Sequence, residues 1–331
     1  MLSILLFTCN SILPVILIIV LGYLLKQKGF FSKEFLRVGN KTVFNVCLPV
    51  MLFKNIADIE DISAIRMDVI AYVLCIIVIL IIIGFLMTFL INDPKQKGVI
   101  HQCVFRSNFA LIGVPLSELL GGNNGVAMAA IISLFTIPIY NAMSVVVLSI
   151  YKNGKVSVDW KKILHDVCHN PLINGVLMGL VVLLIRTAGL HMGWHNPFGG
   201  ITFISTVIAY LARAATPLSL LVLGGQFEFR KAGDYKAQLL LGVFTRNVLA
   251  PLIGVGLALI LTLYGILDFG PDVYAGLISL YATPIAVASA IMAEAMDNDG
   301  QLAAQLVVWT SLFSVFSLFV VIFIVRGFGL L

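Results

Sequence analysis

A chain of 331 residues that is 60% hydrophobic and only 11% charged, with a mean hydropathy of +1.06, is too apolar for an ordinary soluble domain. Its formal charge of +5 needs no nucleic-acid partner, because Lys and Arg gather in short loops where a membrane-topology signal accounts for them. The apolar runs are continuous rather than alternating, which excludes β-barrel strands and leaves α-helices as the spanning element.

A hydrocarbon core about 30 Å thick requires about 20 apolar residues per helix. In chain order the sequence predicts spans at 3–25, 38–57, 68–91, 99–120, 125–151, 170–189, 201–224, 237–264, 273–295 and 302–325. The first run lacks a basic n-region and is too long for a signal-peptide core, so it reads as a retained helix. Lys26, Lys28, Lys33, Arg37, Lys41, Lys95, Lys97, Lys152, Lys155, Lys161, Lys162, Arg230, Lys231 and Lys236 fall on one side, against Lys54, Arg66, Arg186 and Arg326 on the other. The positive-inside rule then places both termini outside. Cys9, Cys47, Cys75, Cys103 and Cys168 have no CxxC spacing and read as small packing residues. The polar stretch 152–169 is too short to bury a core and reads as a cytoplasmic linker between 1–151 and 170–331.

Each half places similar features in corresponding spans. Asn45 stands four residues before Pro49 in the second span, and Arg213 four before Pro217 in the seventh. The fourth span carries Ser107, Asn108, Gly113 and Pro115; the ninth carries Thr283 and Pro284. An odd number of spans per half inverts the second copy, and paired interrupted helices in inverted repeats point to a transporter's binding site. If Pro115 and Pro284 each begin a half-helix, two positive N-terminal ends meet inside the bilayer and attract an anion. The unwound stretch of the fourth span could instead begin upstream, near Asn108 to Gly113.

The segments SNFALIGVPL, NVCLPVMLF, IPIYNAMSV, RNVLAPLIG and ATPIAVASAIMAE resemble the auxin efflux carrier family along essentially the whole chain, and the length is similar to that of bacterial members resembling malonate permeases. The resemblance implies an all-α membrane protein with a five-plus-five inverted repeat, and broken helices four and nine crossing at the prolines. It also implies an elevator movement of spans three to five and eight to ten against one, two, six and seven, and a homodimer made through that scaffold. Asn108, Pro115 and Pro284 would then lie where substrate binds. The long cytosolic loop of plant members is short here.

Ionisable residues inside spans are expensive and usually face a cavity or a partner. Arg213, one turn before Pro217, could pair bidentately with a substrate carboxylate, or form an ion pair with Glu118 or Glu294. Arg106 could line the inward vestibule or anchor a cytoplasmic helix end. Arg246 and Asn247 in the eighth span could do the same, although positive charge near the inner end of a helix is routine and is the favoured reading. Asn108 could bind a carboxylate through its NH₂, while Thr283 and Ser289 could equally bond back to their own helix. Glu118 and Glu294 would serve a proton symporter; Asp297 and Asp299 read as turn residues.

No HExxH, GxSxG, phosphate loop or metal-ligand cluster supports an enzyme, and no cofactor or metal is expected. The reading is a secondary transporter of small organic anions such as malonate or another carboxylate, in the cell membrane (a bacterial inner membrane), with lipid and a second copy as partners. The expected substrate-binding residues are Asn108, Pro115, Pro284, Arg213, Ser107, Gly113, Thr283 and Asn45. The alternatives are a cation-coupled bile-acid-type transporter, an anion channel, or a non-transporting sensor of the same architecture.

Overall fold

The computed structural model describes residues 14, 17–58, 66–151, 161, 165, 168–191, 202–226 and 233–331, and they are helical almost throughout. Most of the first predicted span and of the linker 152–169 lies outside them. In chain order the helices are α1 (Leu17–Gln27), α2 (33–57), α3 (Met67–Met87), α4a (Pro94–Phe105), α4b (109–121), α5 (Asn124–Ile150), α6 (Pro171–His191), α7 (Thr202–Gln226), α8 (Lys236–Leu263), α9a (Pro271–Tyr281), α9b (Val287–Ala295) and α10 (Gly300–Gly327). Gly122, at φ 58°, turns the chain between α4b and α5.

Six of the described helices are long and apolar enough to cross a membrane on length and composition alone. The fourth and ninth predicted spans fall short only because each is divided into two half-helices. Exposed Val78, Ile82 and Phe85 on α3, and Phe316 and Phe323 on α10, would be a liability in water and suit hydrocarbon.

Three helices contain a π turn that ends two residues before a proline: Val43–Cys47 before Pro49, Phe109–Gly113 before Pro115, and Thr245–Leu249 before Pro251. In each, the residue just ahead of the proline donates five positions back, as Val114 does to the Phe109 carbonyl. Wider turns of this kind relieve the clash between a proline ring and the carbonyl one turn earlier, so these helices continue through their prolines.

Two close packings join the outer helices. Gly22 on α1 and Gly224 on α7 leave no room for a Cβ against the carbonyls of Leu221 and Ile19, and Gly175 and Gly179 on α6 lie likewise against Pro49 and Phe53 of α2. One hydrophobic core is built from α3, α4a, α4b, α5, α8, α9a and α10; a second ties α1, α2, α6 and α7 to α4a, α5, α9b and α10. Polar contacts gather at the two ends of the bundle. At one end Asp299 N–H donates to the Lys95 carbonyl, Tyr235 to Asp299, and Gln301 to the Gln226 carbonyl. At the other, Arg66 reaches the Asp268 carbonyl and Arg186 the Ala57 carbonyl.

Candidate functional site

The two interrupted helices break against one another. Between α4a and α4b, residues 106–108 leave the helix, with Arg106 extended, and between α9a and α9b residues 284–286 do the same, with Ala286 extended. Ser107 and Ile285 form an antiparallel bridge, and Asn108 N–H donates to the Pro284 carbonyl at 2.7 Å. Each stretch thereby satisfies backbone groups that its own interrupted helix cannot, which buried backbone requires. The Ile285 N–H turns to Thr310 Oγ1 on α10 (3.3 Å), and the Asn247 amide secures the Thr310 carbonyl (2.8 Å).

A cavity of about 320 Å³ opens beside the crossing, between the breaks and helices α2, α5 and α7. Arg106, Ser107 and Asn108 come from the first break, Ala286 to Ala288 from the second, Tyr140 and Asn141 from α5, Lys54 and Asn55 from α2, and Arg213 from α7. Lys54 is paired with Asp58 one turn on. No Asp or Glu is among the lining residues.

Arg106 is 4% exposed, and its hydrogen-bond partners among the described residues are Asn141 Oδ1 at 3.0 Å and the Met292 sulfur, a weak acceptor. No carboxylate among them pairs with it. The Asn141 amide is oriented by its own bond to the Ile137 carbonyl (2.8 Å), so its oxygen is presented to Arg106. Around the guanidinium, Ser107 Oγ, Asn108 Nδ2 and Tyr140 Oη are buried without a hydrogen-bond partner; the Tyr140 and Ser107 hydroxyls are neighbours that lack hydrogen-bond geometry. A buried polar group left unpaired costs about 1–3 kcal/mol, and an unpaired charge more. An anionic ligand at this place offsets both penalties.

Of the residues expected from sequence, Asn108, Ser107 and Arg213 line the cavity. Arg213 is exposed toward it and makes no ion pair with Glu118 or Glu294. Pro284 contributes its carbonyl to the crossing, and Thr283 bonds back to the Ser279 carbonyl (2.9 Å). Gly113 is a packing position, since a Cβ there would meet the Ser279 carbonyl of α9a at 2.6 Å. Asn45 is exposed, bonded to the Lys41 carbonyl, and does not line the cavity.

Neither proline begins a half-helix. Pro115 lies inside α4b, beyond the break, because the π turn before it lets the helix run on; Pro284 lies within the second break, and α9b starts at Val287. The first break falls instead at Arg106 to Asn108, at the upstream edge of the stretch the sequence offered. Arg246 is no inner-end charge: it is fully buried at the crossing. Tyr140 and Asn141 were missed as site residues, although a polar pair two residues beyond Pro138 in an apolar span is a visible signal.

Comparison with known proteins covers almost the whole chain. The family model described as "Membrane transport protein" matches residues 7–322. An uncharacterized transporter of Methanothermobacter thermautotrophicus is 25% identical over 317 residues, covering 93% of this chain and 95% of its own. An uncharacterized transporter of Methanocaldococcus jannaschii is 24% identical over 223 residues, covering 65% of this chain and 67% of its own.

Proposed function

This chain belongs to the membrane transport protein family, the auxin efflux carrier family, and from that premise we propose that it is a carrier of small organic anions working by alternating access. The observation that carries the proposal is the cavity at the crossing, with two guanidinium groups, those of Arg106 and Arg213, and no lining carboxylate. A carboxylate bound there accepts from Arg106 and from the unpartnered donors of Ser107, Asn108 and Tyr140. Arg213 draws the anion in from the wider part of the cavity.

The reading extends to an inverted repeat of 1–151 and 170–331 joined by the linker 152–169. Its support is a matched pattern of packing. If the first and sixth helices correspond, and the second and seventh, then α1 against α7 is the counterpart of α6 against α2, and both contacts are glycine-mediated. The breaks fall likewise in the fourth and ninth helices. In this scheme α1, α2, α6 and α7 form the scaffold and homodimer surface, and the remaining helices carry substrate in an elevator movement. With the lysine-rich ends facing the cytoplasm, the cavity opens outward, since it is lined by Met51, Leu52, Lys54 and Asn55 near the far end of α2.

A thermal-shift screen of the detergent-purified protein against mono- and dicarboxylates, neutral analogues and cations is the first test. Ligands that favour the folded state raise its apparent stability. A selective rise with carboxylates that is lost in Asn108→Ala, and counterflow of radiolabelled malonate or another responding acid in liposomes, are the expected results. Stabilisation by cations or neutral solutes alone overturns the anion assignment.

A further inference from the structure

Arg246 is 0% exposed, and its hydrogen-bond partners are all backbone carbonyls at the two breaks. Its Nε donates to Thr283 O (3.0 Å), Nη1 to Val104 O (3.2 Å), and Nη2 to Tyr281 O (2.6 Å) and Leu280 O (3.3 Å). These acceptors share an origin. In an intact helix the carbonyl of residue i receives the N–H of residue i+4. Val104 would receive Asn108, whose N–H goes to Pro284 O instead. Leu280 would receive residue 284, a proline with no N–H. Tyr281 would receive Ile285, whose N–H meets Thr310. Breaking two helices has left a set of carbonyls without donors, and one side chain from α8 collects them.

The Val104, Leu280 and Tyr281 carbonyls belong to the C-terminal ends of α4a and α9a, each end carrying the equivalent of about half a negative charge, and Thr283 lies just beyond α9a. Two such ends converge on one point inside the protein. In carriers with discontinuous helices, unwound carbonyls and C-terminal half-helix ends of this kind coordinate sodium. Here a guanidinium with five donors in a rigid fork occupies the place, covalently attached and not exchangeable.

We propose that Arg246 is a resident cation that locks the two breaks together, so that the crossing keeps its shape without a bound inorganic ion. Arg246 is a positioning residue: it holds Val104 two residues ahead of Arg106, and Thr283 beside Pro284, without lining the cavity itself. The carrier therefore has no sodium requirement at this point, which separates it from a cation-coupled mechanism. The inference does not depend on the substrate being an anion.

The test needs no substrate. Melting of the purified wild-type protein is followed in sodium, potassium, choline and guanidinium chlorides at equal, low millimolar concentration, alongside Arg246→Ala and Arg246→Lys. The wild type is expected to melt at the same temperature in all four salts. Arg246→Ala melts lower and recovers saturably with guanidinium, or with sodium, over choline; Arg246→Lys keeps the charge, melts in between and ignores the salt. A purely structural arginine would give no such cation response. Sodium-selective stabilisation of the wild type overturns the proposal, as does a folded Arg246→Ala that ignores every cation. If Arg246→Ala does not fold, the other two proteins decide: a folded, salt-indifferent Arg246→Lys supports the resident cation, and its failure alongside Arg246→Ala overturns it.

Discussion

Arg106 and Arg246 are both buried at the helix crossing, yet their surroundings differ in kind. Arg246 has four carbonyl acceptors from both breaks, whereas Arg106 has one amide oxygen and one thioether. Burial alone does not tell a structural charge from a binding charge; the supply of acceptors does. A guanidinium that spends four of its five donors on carbonyls has little left to offer a ligand, and an under-supplied one beside a cavity has both the room and the energetic reason to take an anion.

Four substitutions would sharpen or break that contrast. Arg246→Ala leaves several buried carbonyls unpaired and is expected to lower unfolding stability by about 3–5 kcal/mol, comparable to breaking a buried ion pair; denaturant or thermal unfolding in detergent measures it, and a loss under about 1 kcal/mol would remove the distinction. Arg106→Gln should leave folding nearly intact and weaken carboxylate binding about thirty- to a hundredfold, equivalent to about 2–3 kcal/mol for a charged hydrogen bond. Isothermal titration with the acid found in the screen reads this directly. Tyr140→Phe removes a hydroxyl that has no protein partner, so melting should hold or rise while affinity falls about fivefold. Arg213→Ala, on an exposed side chain, should reduce the association rate about two- to threefold and flatten its salt dependence, as stopped-flow binding at two ionic strengths would show.

The spans were legible because continuous apolar runs leave the backbone little choice in lipid; the predicted 68–91 matches the span Met67–Leu90 almost to the residue. The ninth-helix break was legible from Pro284, since a missing N–H must be accommodated somewhere. The fourth-helix break was read less sharply, because Pro115 drew attention downstream of it. That break contains no proline and arises from a partner distant in sequence: Asn108 gives its N–H to Pro284, so the signal is tertiary. Arg106 could be read as lining a cavity or as an anchor, and Arg246 as a routine charge; only the carbonyls around Arg246, supplied from α4a and α9a, tell the two apart.

The π turn Val43–Cys47 has a further consequence for α2. Such a turn holds one residue more than the α turn it replaces, so a helical wheel advancing about 100° per residue slips by roughly that angle on crossing it. The two ends of α2 thus belong to different angular frames. Removing one residue from Val43–Cys47 would restore a single frame and swing either Met51, Lys54 and Asn55 out of the cavity wall or Leu36 and Asn40 out of their buried positions. Which face α2 presents to the cavity therefore depends on a count of residues as well as on their identities.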